Sequence, residues 1–233
     1  MEINPGSENL EIMREAANYL SFIGNLVSSH LPSKGRIVEI GAGNGLQTGY
    51  VGVERDRLHC VENDERMRRL LESAGYRVTN GLSELGDRQF SGAYSINCLE
   101  HIQDEHDLLS SICSVLEESG RIVIYVPALP FLYSTMDAKV GHFRRYTKQH
   151  LRLVVERAGF KVEKLRYVDV LGVVVSLGFK IMKVKSGAPS IIMVRMYDRF
   201  VFPLSRRLDV VFQKVVGKNL LVVASKRDGS SPF

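Results

Sequence analysis

The sequence predicts an α/β protein built on a seven-stranded, mainly parallel sheet. Short apolar runs alternate with helical patterns along most of the 233 residues, and strands separated by helices are typical of a parallel sheet with right-handed crossovers. A glycine-rich turn follows the first strand, at the place where α/β folds bind nucleotides. The chain is 45% apolar and 24% charged, which excludes a disordered, collagenous or coiled-coil protein.

The predicted elements follow from apolar spacing and from the positions of Gly and Pro. Residues 8–31 have apolar side chains at helical spacing, and Pro32 ends this helix. Residues 46–57 contain Gly49 and Gly52 and are short for a full helix. The later helices are predicted at 64–74, 103–118 and 147–158, and the strands at 36–40, 58–62, 77–79, 93–98, 121–126, 160–168 and 220–225.

The alternation of strands and helices breaks before the last strand. Residues 170–217 mix apolar and basic side chains, and Pro203 and the stretch 187–189 interrupt them. We therefore predict one domain, residues 1–233, in which 170–217 is an inserted substructure. This substructure is expected to form either a lid over the substrate or an interface with another molecule. A second copy of the chain, giving a homodimer, is one such partner.

The sequence predicts a cytoplasmic protein. Its first residues lack a basic region followed by an apolar one, so no signal peptide is expected. The most apolar run, 167–182, is shorter than the roughly 20 residues that cross a bilayer, and two charged residues interrupt it. Cys60, Cys98 and Cys113 show no paired or metal-type spacing, so reduced thiols are expected and no metal site is predicted.

The two parts of the chain differ in charge. Residues 1–140 carry 12 basic and 20 acidic side chains, whereas residues 141–233 carry 19 and 6. Residues 141–233 are therefore expected to bind an anionic partner, such as a phosphate, a nucleic acid or a membrane surface. Nucleic acid is the least favoured partner, since no recognised binding module for it is visible. A solvated basic face that only aids solubility is the alternative.

The glycine-rich turn indicates a ligand at the edge of the sheet. Gly41, Gly43 and Gly45 follow Glu39, and glycines let the backbone turn tightly and approach a ligand. Leu46 stands where the dinucleotide fingerprint has its third glycine, which disfavours a nicotinamide-dependent oxidoreductase, the alternative enzyme class. A purely structural turn is the other alternative.

Polar residues at the ends of two further strands point to the same edge. Glu62 ends the second predicted strand, where an acidic side chain can accept hydrogen bonds from both ribose hydroxyls. With the turn, it predicts an adenosine-containing ligand. The stretch 97–102, which includes His101, ends the fourth predicted strand and is expected to face the same crevice. A capping or core role for His101 is equally consistent with the sequence.

These segments resemble class I S-adenosylmethionine (SAM)-dependent methyltransferases. The likeness is greatest to a bacterial group with type 11/23 methyltransferase domains, often met alongside polysaccharide glycosyltransferases. It spans nearly the whole chain, and the segment from Gly141 to Tyr146 is its most specific part. The resemblance implies a Rossmann-like fold with an N-terminal helix and a helical insertion before the last strand. It also implies SAM as cofactor and a sugar or another small molecule of cell-surface glycan or lipid biosynthesis as acceptor. The basic residues among large apolar ones in 170–217 suggest separately that this acceptor is anionic or lipid-linked.

The resemblance also implies roles for individual residues on the cofactor side. Glu62 would hold the ribose hydroxyls of SAM, and Asn63 would lie beside the adenine. Gly81 is followed by Leu82 where the family often has Asp, so that Asp contact to the adenine amino group is not expected. The full set of implied cofactor residues is Glu39, Gly41, Gly43, Gly45, Glu62, Asn63, Asn97 and Leu99.

On the acceptor side, methyl transfer mainly requires alignment of the reacting atoms and exclusion of water. A general base is needed only for a hydroxyl or a protonated amine, and His is the usual choice near neutral pH. The candidate catalytic residues are His142, His101 and Tyr146, and the candidate substrate-binding residues are Asp137, Arg144 and Arg145. In this hypothesis the two arginines grip a carboxylate or phosphate.

Alternatives stay open both for the segment from Gly141 to Tyr146 and for the whole chain. The segment can instead be a loop whose arginines pair with acidic residues of 1–140 and whose Tyr packs before the next helix. The protein can also be a catalytically silent SAM-binding or interaction protein. Basic residues among large apolar ones in 170–217 further suggest peripheral contact with the inner face of a membrane.

Overall fold

A computed structural model describes residues 12–86, 89–181 and 190–227. Its centre is a seven-stranded sheet in the order β3-β2-β1-β4-β5-β7-β6, in which β7 runs antiparallel to both of its neighbours. The fold is therefore the predicted Rossmann-like, mainly parallel sheet. The strands are β1 (Ile37–Ile40), β2 (Leu58–Val61), β3 (Arg77–Thr79), β4 (Phe90–Ile96), β5 (Leu116–Pro127), β6 (Phe160–Val168) and β7 (Asn219–Lys226).

Helices cover both faces of this sheet, and several begin at a side chain that caps them. Asp64, Asp104 and Thr147 each accept a hydrogen bond from a backbone N–H in the first turn of the following helix. The helices are α1 (Ala17–Ser28), α2 (Leu46–Val51), α3 (Glu65–Ser73), α4 (Glu105–Val115), α5 (Thr135–Lys139), α6 (Lys148–Arg157), α7 (Val170–Ile181), α8 (Ile191–Met196) and α9 (Phe202–Phe212).

The core has two layers, one on each face of the sheet. Leu109 of α4 and Leu151 of α6 belong to the apolar cluster on one face. Ile23 of α1 and Phe202 of α9 belong to the cluster on the other. The central strands are buried on both sides, which is why their sequences are almost continuously apolar.

The boundaries of α4, β5 and β4 differ from the sequence prediction. β5 begins at Leu116, five residues earlier than expected, and α4 ends at Val115. Leu116 has an extended backbone and pairs with Phe90. Strand pairing, rather than helix propensity, therefore determines the conformation of this segment. β4 accordingly runs from Phe90 to Ile96, instead of covering 93–98.

The N-terminal helix is also shorter than predicted. α1 covers Ala17–Ser28 where the sequence predicted 8–31, and the first residues of that range lie outside the described residues. The insertion before the last strand is helical as predicted, with α7, α8 and α9 between β6 and β7. Among the described residues, no helix is long and apolar enough to cross a membrane.

Candidate active site at the carboxyl edge of the sheet

The glycine turn lies at the carboxyl edge of the sheet, directly after β1. Gly41, Gly43 and Gly45 all have left-handed backbone conformations, with φ of 75°, 55° and 79°. A Cβ at Gly41 would lie 2.4 Å from Sγ of Cys98, which follows β4. The turn therefore needs glycine at this position, and it brings the ends of β1 and β4 into contact.

Glu62 is fixed at the end of β2. Its Oε2 accepts a hydrogen bond of 2.7 Å from the N–H of Gly43, and its Oε1 accepts one of 2.9 Å from the N–H of Asp64. The residue is buried, with 8% of its surface exposed. Each oxygen still has a lone pair, so the group can accept further hydrogen bonds from a ligand. Asn63, next to it, is exposed at the same edge.

Glu39 lies within the core and is 2% exposed. Burial raises its pKa to about 7, and the nearby Thr48 and Tyr94 hydroxyls lower it, although neither forms a hydrogen bond of ordinary geometry. The thiol of Cys60 donates a long contact of 3.8 Å to Oε2 of Glu39. Its carboxyl is thus poorly solvated and is expected to gain from a nearby positive charge.

The segment after β4 connects this edge to a second group of polar residues. Asn97 is exposed with a φ of 49°, and Leu99 is buried. Burial raises the pKa of Cys98 to about 12, with further contributions from the carboxylates of Glu100, Glu62 and Glu39. Cys98 therefore lies among three carboxylates, two of them on the cofactor side.

The second group consists of Glu100, His101 and His142. Glu100 is 0% exposed, and neither of its carboxylate oxygens has a hydrogen-bond partner among the described residues. Burial raises its pKa to about 8. Its Oε1 lies 3.8 Å from Nε2 of His142, and the rings of His101 and His142 meet edge to face with centroids 4.6 Å apart. Burial of part of the ring and the neighbouring His142 lower the pKa of His101 to about 4.

Asp137 holds the ring of His142 in place. Its Oδ1 lies 2.9 Å from Nδ1 of His142 and accepts a hydrogen bond of 2.8 Å from Nε of Arg145. Its Oδ2 accepts bonds from Arg145 Nη2 (3.1 Å) and from the N–H of Ser134 (2.9 Å). Burial raises the pKa of Asp137, but the hydrogen bonds from His142 and Arg145 outweigh it and hold the pKa far below its usual range. Asp137 is therefore an ionised anchor for two side chains.

Arg144 and Tyr146 meet a different carboxylate, Glu105 at the start of α4. Arg144 lies 2.9 Å from Glu105, and the fully buried Tyr146 hydroxyl donates a 2.5 Å hydrogen bond to it. That hydroxyl also lies 3.2 Å from the Leu99 carbonyl. Burial, reinforced by Glu105, raises the pKa of Tyr146 far above its usual value.

These contacts show how the predicted acceptor-side residues are used within the chain. Both arginines already bind carboxylates, and the Tyr146 ring is in the core. This matches the alternative in which the segment pairs with the acidic first part and its Tyr packs before α6. It disfavours a grip on an anionic acceptor by Arg144 and Arg145, and a direct role of Tyr146 in catalysis.

Three polar residues at this edge of the sheet are not among those predicted from the sequence. Glu100 was visible only as one letter of the segment after β4, although its position next to His101 was a clue. Asp169 and Lys218 lie where β6 ends and β7 begins, at the same edge as the glycine turn. Asp169 is buried and accepts a hydrogen bond of 2.8 Å from the Ser205 hydroxyl of α9. Burial lowers the pKa of Lys218, on which Asp169 and Asp137 act in the opposite direction.

Comparisons with known proteins agree with this architecture. A family model described as a methyltransferase domain, Methyltransf_23, matches residues 11–165, about two thirds of the chain. The sequence matches none of the curated proteins with which it was compared.

Solved structures share the fold over nearly the whole chain. A SAM-dependent methyltransferase from Thermotoga maritima, described as a possible histamine N-methyltransferase, has a TM-score of 0.64 at 19% identity and covers 95% of each chain. One from Archaeoglobus fulgidus has a TM-score of 0.58 at 19% identity, covering 89% of this chain and 93% of its own. A Haloferax volcanii methyltransferase in complex with the Trm112 activator gives 0.62 at 13% identity, covering 99% and 100%. At these identities, the likeness shows the fold alone.

Proposed function

Because this chain belongs to the methyltransferase-domain family and is a SAM-dependent methyltransferase, we propose a class of acceptor for it. The acceptor is an anionic small molecule or lipid-linked compound, such as a sugar unit used in cell-surface glycan biosynthesis. Transfer takes place at the cytoplasmic face of a membrane. The observation that carries this proposal is the basic and apolar outer face of the insertion between β6 and β7.

The residues at the glycine turn fit SAM, which supplies a methyl group on a positively charged sulfur. The backbone at Gly41, Gly43 and Gly45 offers a close approach without side chains. Glu62, held by two backbone N–H groups, is positioned to accept bonds from the ribose hydroxyls. Asn63 would lie beside the adenine, and the positive sulfur would favour the ionised form of Glu39 beneath the turn. Asn97 and Leu99 would complete the pocket.

The outer face of the insertion combines exposed apolar and basic side chains. Within residues 190–217 every exposed charged side chain is basic, because the two carboxylates, Asp198 and Asp209, are both buried. Exposed apolar side chains lie among them: Ile192, Met193, Met196, Phe200, Leu204, Val210, Val211 and Val215. The exposed basic side chains are Arg195, Arg199, Arg206, Arg207 and Lys214. Apolar groups with surrounding Lys and Arg are typical of surfaces that bind anionic lipid interfaces.

A basic cavity adjoins this face. It has a volume of about 510 Å³ and lies between β6 and α9. Its lining includes three arginines and one carboxylate beside two aromatic rings: Arg166, Arg206, Arg207, Asp209, Phe22 and Tyr167. β6 is the outermost strand on this side of the sheet, and β7, β5 and β4 lie between it and β1. An acceptor whose anionic group binds here would therefore have to extend along the carboxyl edge of the sheet to reach the glycine turn. Cationic and aromatic walls suit the head group of a lipid-linked acceptor.

His142 is the residue that acts on the acceptor in this proposal. Asp137 is hydrogen-bonded to Nδ1 of the ring, which places the proton on that nitrogen and leaves a lone pair on Nε2. Nε2 faces Glu100. A hydroxyl or amine of the acceptor placed at Nε2 would be activated there. The resemblance of the His142–Tyr146 segment to methyltransferases met beside polysaccharide glycosyltransferases supports a sugar as the acceptor.

The first experiment identifies the acceptor. Purified protein is incubated with methyl-labelled SAM and with aqueous and lipid fractions of a cell extract, and the labelled product is identified. We expect label in an anionic glycan precursor or a glycolipid of the lipid fraction. Label confined to a neutral water-soluble compound or to nucleic acid would overturn the acceptor class.

The second experiment tests the membrane face. The protein is sedimented with phosphatidylglycerol vesicles and with phosphatidylcholine vesicles at low and high salt, since screening weakens exposed charge contacts. We expect binding only to the anionic vesicles, and release by salt. The double variant Arg207→Glu/Lys214→Glu should lose this binding.

The matched control is Arg66→Glu/Arg69→Glu, which makes the same change of charge on α3 at the opposite end of the sheet. It should bind vesicles as the unmodified protein does. Equal loss in both double variants would show a general charge effect, and a concentration-dependent dimer that buries the insertion would assign this face to a second copy instead.

A further inference from the structure

Three potential metal ligands meet between the segment after β4 and the loop before α6. One carboxylate oxygen of Glu100 and one ring nitrogen from each of His101 and His142 lie within 4.8 Å of one another. They come from two distant parts of the chain, joined by a 2.8 Å hydrogen bond from the N–H of Phe143 to the carbonyl of Glu100. The fold therefore brings them together through the backbone.

The buried carboxylate of Glu100 is the feature that hydrogen bonding leaves unexplained. It is completely buried, and neither oxygen has a hydrogen-bond partner among the described residues. A buried polar group in that condition is desolvated without compensation, and the cost is larger when the group is charged. A bound cation would supply the missing partner, whereas the 3.8 Å contact with His142 is too long for a hydrogen bond.

The ring of His142 has the orientation that metal-binding histidines show. Such a His usually donates its other ring N–H to a carboxylate, which fixes the tautomer and directs the free nitrogen to the ion. Asp137 lies 2.9 Å from Nδ1 of His142 and is itself held by Arg145 and Ser134. Nε2, the nitrogen that faces Glu100, is the one left for a ligand.

The spacing is close to what one ion requires. Two donors that bind one ion at 2.0–2.2 Å can be no more than about 4.4 Å apart. Glu100 and His142 already satisfy this limit at 3.8 Å. The limit for the whole group is 4.8 Å, so His101, its exposed member, would have to move slightly toward the other two donors to complete the site.

We infer that Glu100, His101 and His142 form a binding site for a divalent transition-metal ion with an open coordination position for the acceptor. Two imidazoles and one carboxylate suit Zn²⁺, Fe²⁺, Mn²⁺ or Co²⁺ better than Mg²⁺, which prefers oxygen ligands. The inference rests on the proposed function for its chemical use, but the site itself can be measured without it.

The ion would activate a hydroxyl of the acceptor. A hydroxyl bound to the ion would lose its proton to solvent, because a metal ion lowers the pKa of bound water and alcohols. The acceptor oxygen would then form a bond to the methyl carbon of SAM while the carbon–sulfur bond breaks. The electron pair of that bond stays on sulfur, giving S-adenosylhomocysteine. In this form His142 acts through the ion rather than as a free base.

The test measures metal binding in the absence of SAM. Protein stripped with a chelator is titrated with Zn²⁺, Mn²⁺ and Mg²⁺ by calorimetry, and with Co²⁺ by visible absorption. We expect one equivalent of Zn²⁺ or Co²⁺ to bind, with Mg²⁺ weaker by at least about tenfold. Changing the exposed ligand, His101→Gln, should weaken Zn²⁺ binding by at least about tenfold, and Asp137→Asn by about 10–100-fold.

His106→Gln is the matched control, because His106 is also exposed and lies on the neighbouring helix outside the cluster. It should bind Zn²⁺ as the unmodified protein does. Lack of stoichiometric binding, or equal binding by the His101 and His106 variants, would overturn the site. Unchanged methyl transfer by the stripped protein would overturn the role of the ion while leaving the methyltransferase function intact. Metal binding without transfer to any anionic acceptor supports the site and counts against the proposed acceptor.

Discussion

The backbone N–H of Gly43 donates a 2.7 Å hydrogen bond to Oε2 of Glu62, which ties the glycine turn after β1 to the end of β2. The other oxygen of Glu62 accepts from the N–H of Asp64, the residue that caps α3. One carboxylate thus fixes two segments that the cofactor must approach. The Glu62 carboxylate can position the ribose hydroxyls only if both hydrogen bonds from the backbone N–H groups keep it in place.

Replacing Glu62 by Gln should therefore weaken SAM binding strongly. The amide offers one acceptor oxygen, so one of the two backbone N–H groups would face an NH₂ group instead. Hydrogen bonds to a charged group contribute about 1.5–3 kcal/mol, so SAM affinity measured by calorimetry should fall roughly 10–100-fold. Glu65→Gln, at the exposed start of α3, is the control. Equal SAM affinity in the two variants would contradict the role of Glu62.

The fold could be predicted from the sequence because its strands are short apolar runs ended by Gly, Pro or a cap. The start of β5 was missed because Leu116 to Gly120 read as the end of a helix. Its pairing with Phe90 is a contact between distant segments, which local propensity does not contain. The antiparallel direction of β7 likewise depends on how the insertion returns the chain to the sheet.

The candidate site could likewise be predicted only in part from the sequence. The cofactor edge could be predicted, since its glycines and Glu62 follow strands that end together. The position of Glu100 could not, because an acidic residue after a strand is normally solvated. In the structure it is completely buried beside the loop that contains His142, whose ring Asp137 holds.

The stability of the protein should depend on pH through Glu39. Burial raises its pKa from 4.5 to about 7, so the folded state binds this proton more tightly than the unfolded state. The associated stability is full below pH about 4.5 and is lost as the pH rises through about 7, with a total near 3 kcal/mol. Glu39→Gln should remove this dependence.

The measurement is the free energy of unfolding in urea at several pH values between 5 and 8. The difference between the unmodified protein and Glu39→Gln should shift in favour of the variant by up to roughly 3 kcal/mol over this range. Glu54→Gln, on an exposed loop, should follow the unmodified protein. Curves for Glu39→Gln that run parallel to the unmodified protein would mean that its carboxyl is ionised at low cost.

Tyr146→Phe distinguishes a structural from a catalytic role for that residue. The hydroxyl is buried and bonded to Glu105, so its loss should lower the free energy of unfolding by about 1–3 kcal/mol. We expect kcat of the folded variant to stay within about threefold, whereas loss of a general acid or base costs about 10²–10⁴-fold. Tyr133→Phe, which removes a hydroxyl bonded to the His142 carbonyl, is the comparison. A drop in kcat of a hundredfold would restore Tyr146 to the catalytic residues.

The last prediction concerns how the insertion is attached. α1 has no side-chain cap of its own, and Asp198, between α8 and α9, accepts the backbone N–H groups of Asn18 (3.0 Å) and Tyr19 (2.8 Å). The insertion thus caps the N-terminal helix from 180 residues away. Such a bond joins the stability of the two segments.

Asp198→Ala should lower the free energy of unfolding by about 2 kcal/mol, since it removes a cap and leaves the N–H groups of Asn18 and of the buried Tyr19 without this acceptor. Hydrogen exchange should become faster both in 191–212 and at the first turn of α1. Asp56→Ala, on an exposed loop, should change neither. Unchanged exchange in 191–212 would mean that the capping bond does not restrain the insertion. Faster exchange in 191–212 alone would mean that the bond restrains the insertion but not α1, so that the insertion can open as a lid without disturbing that helix.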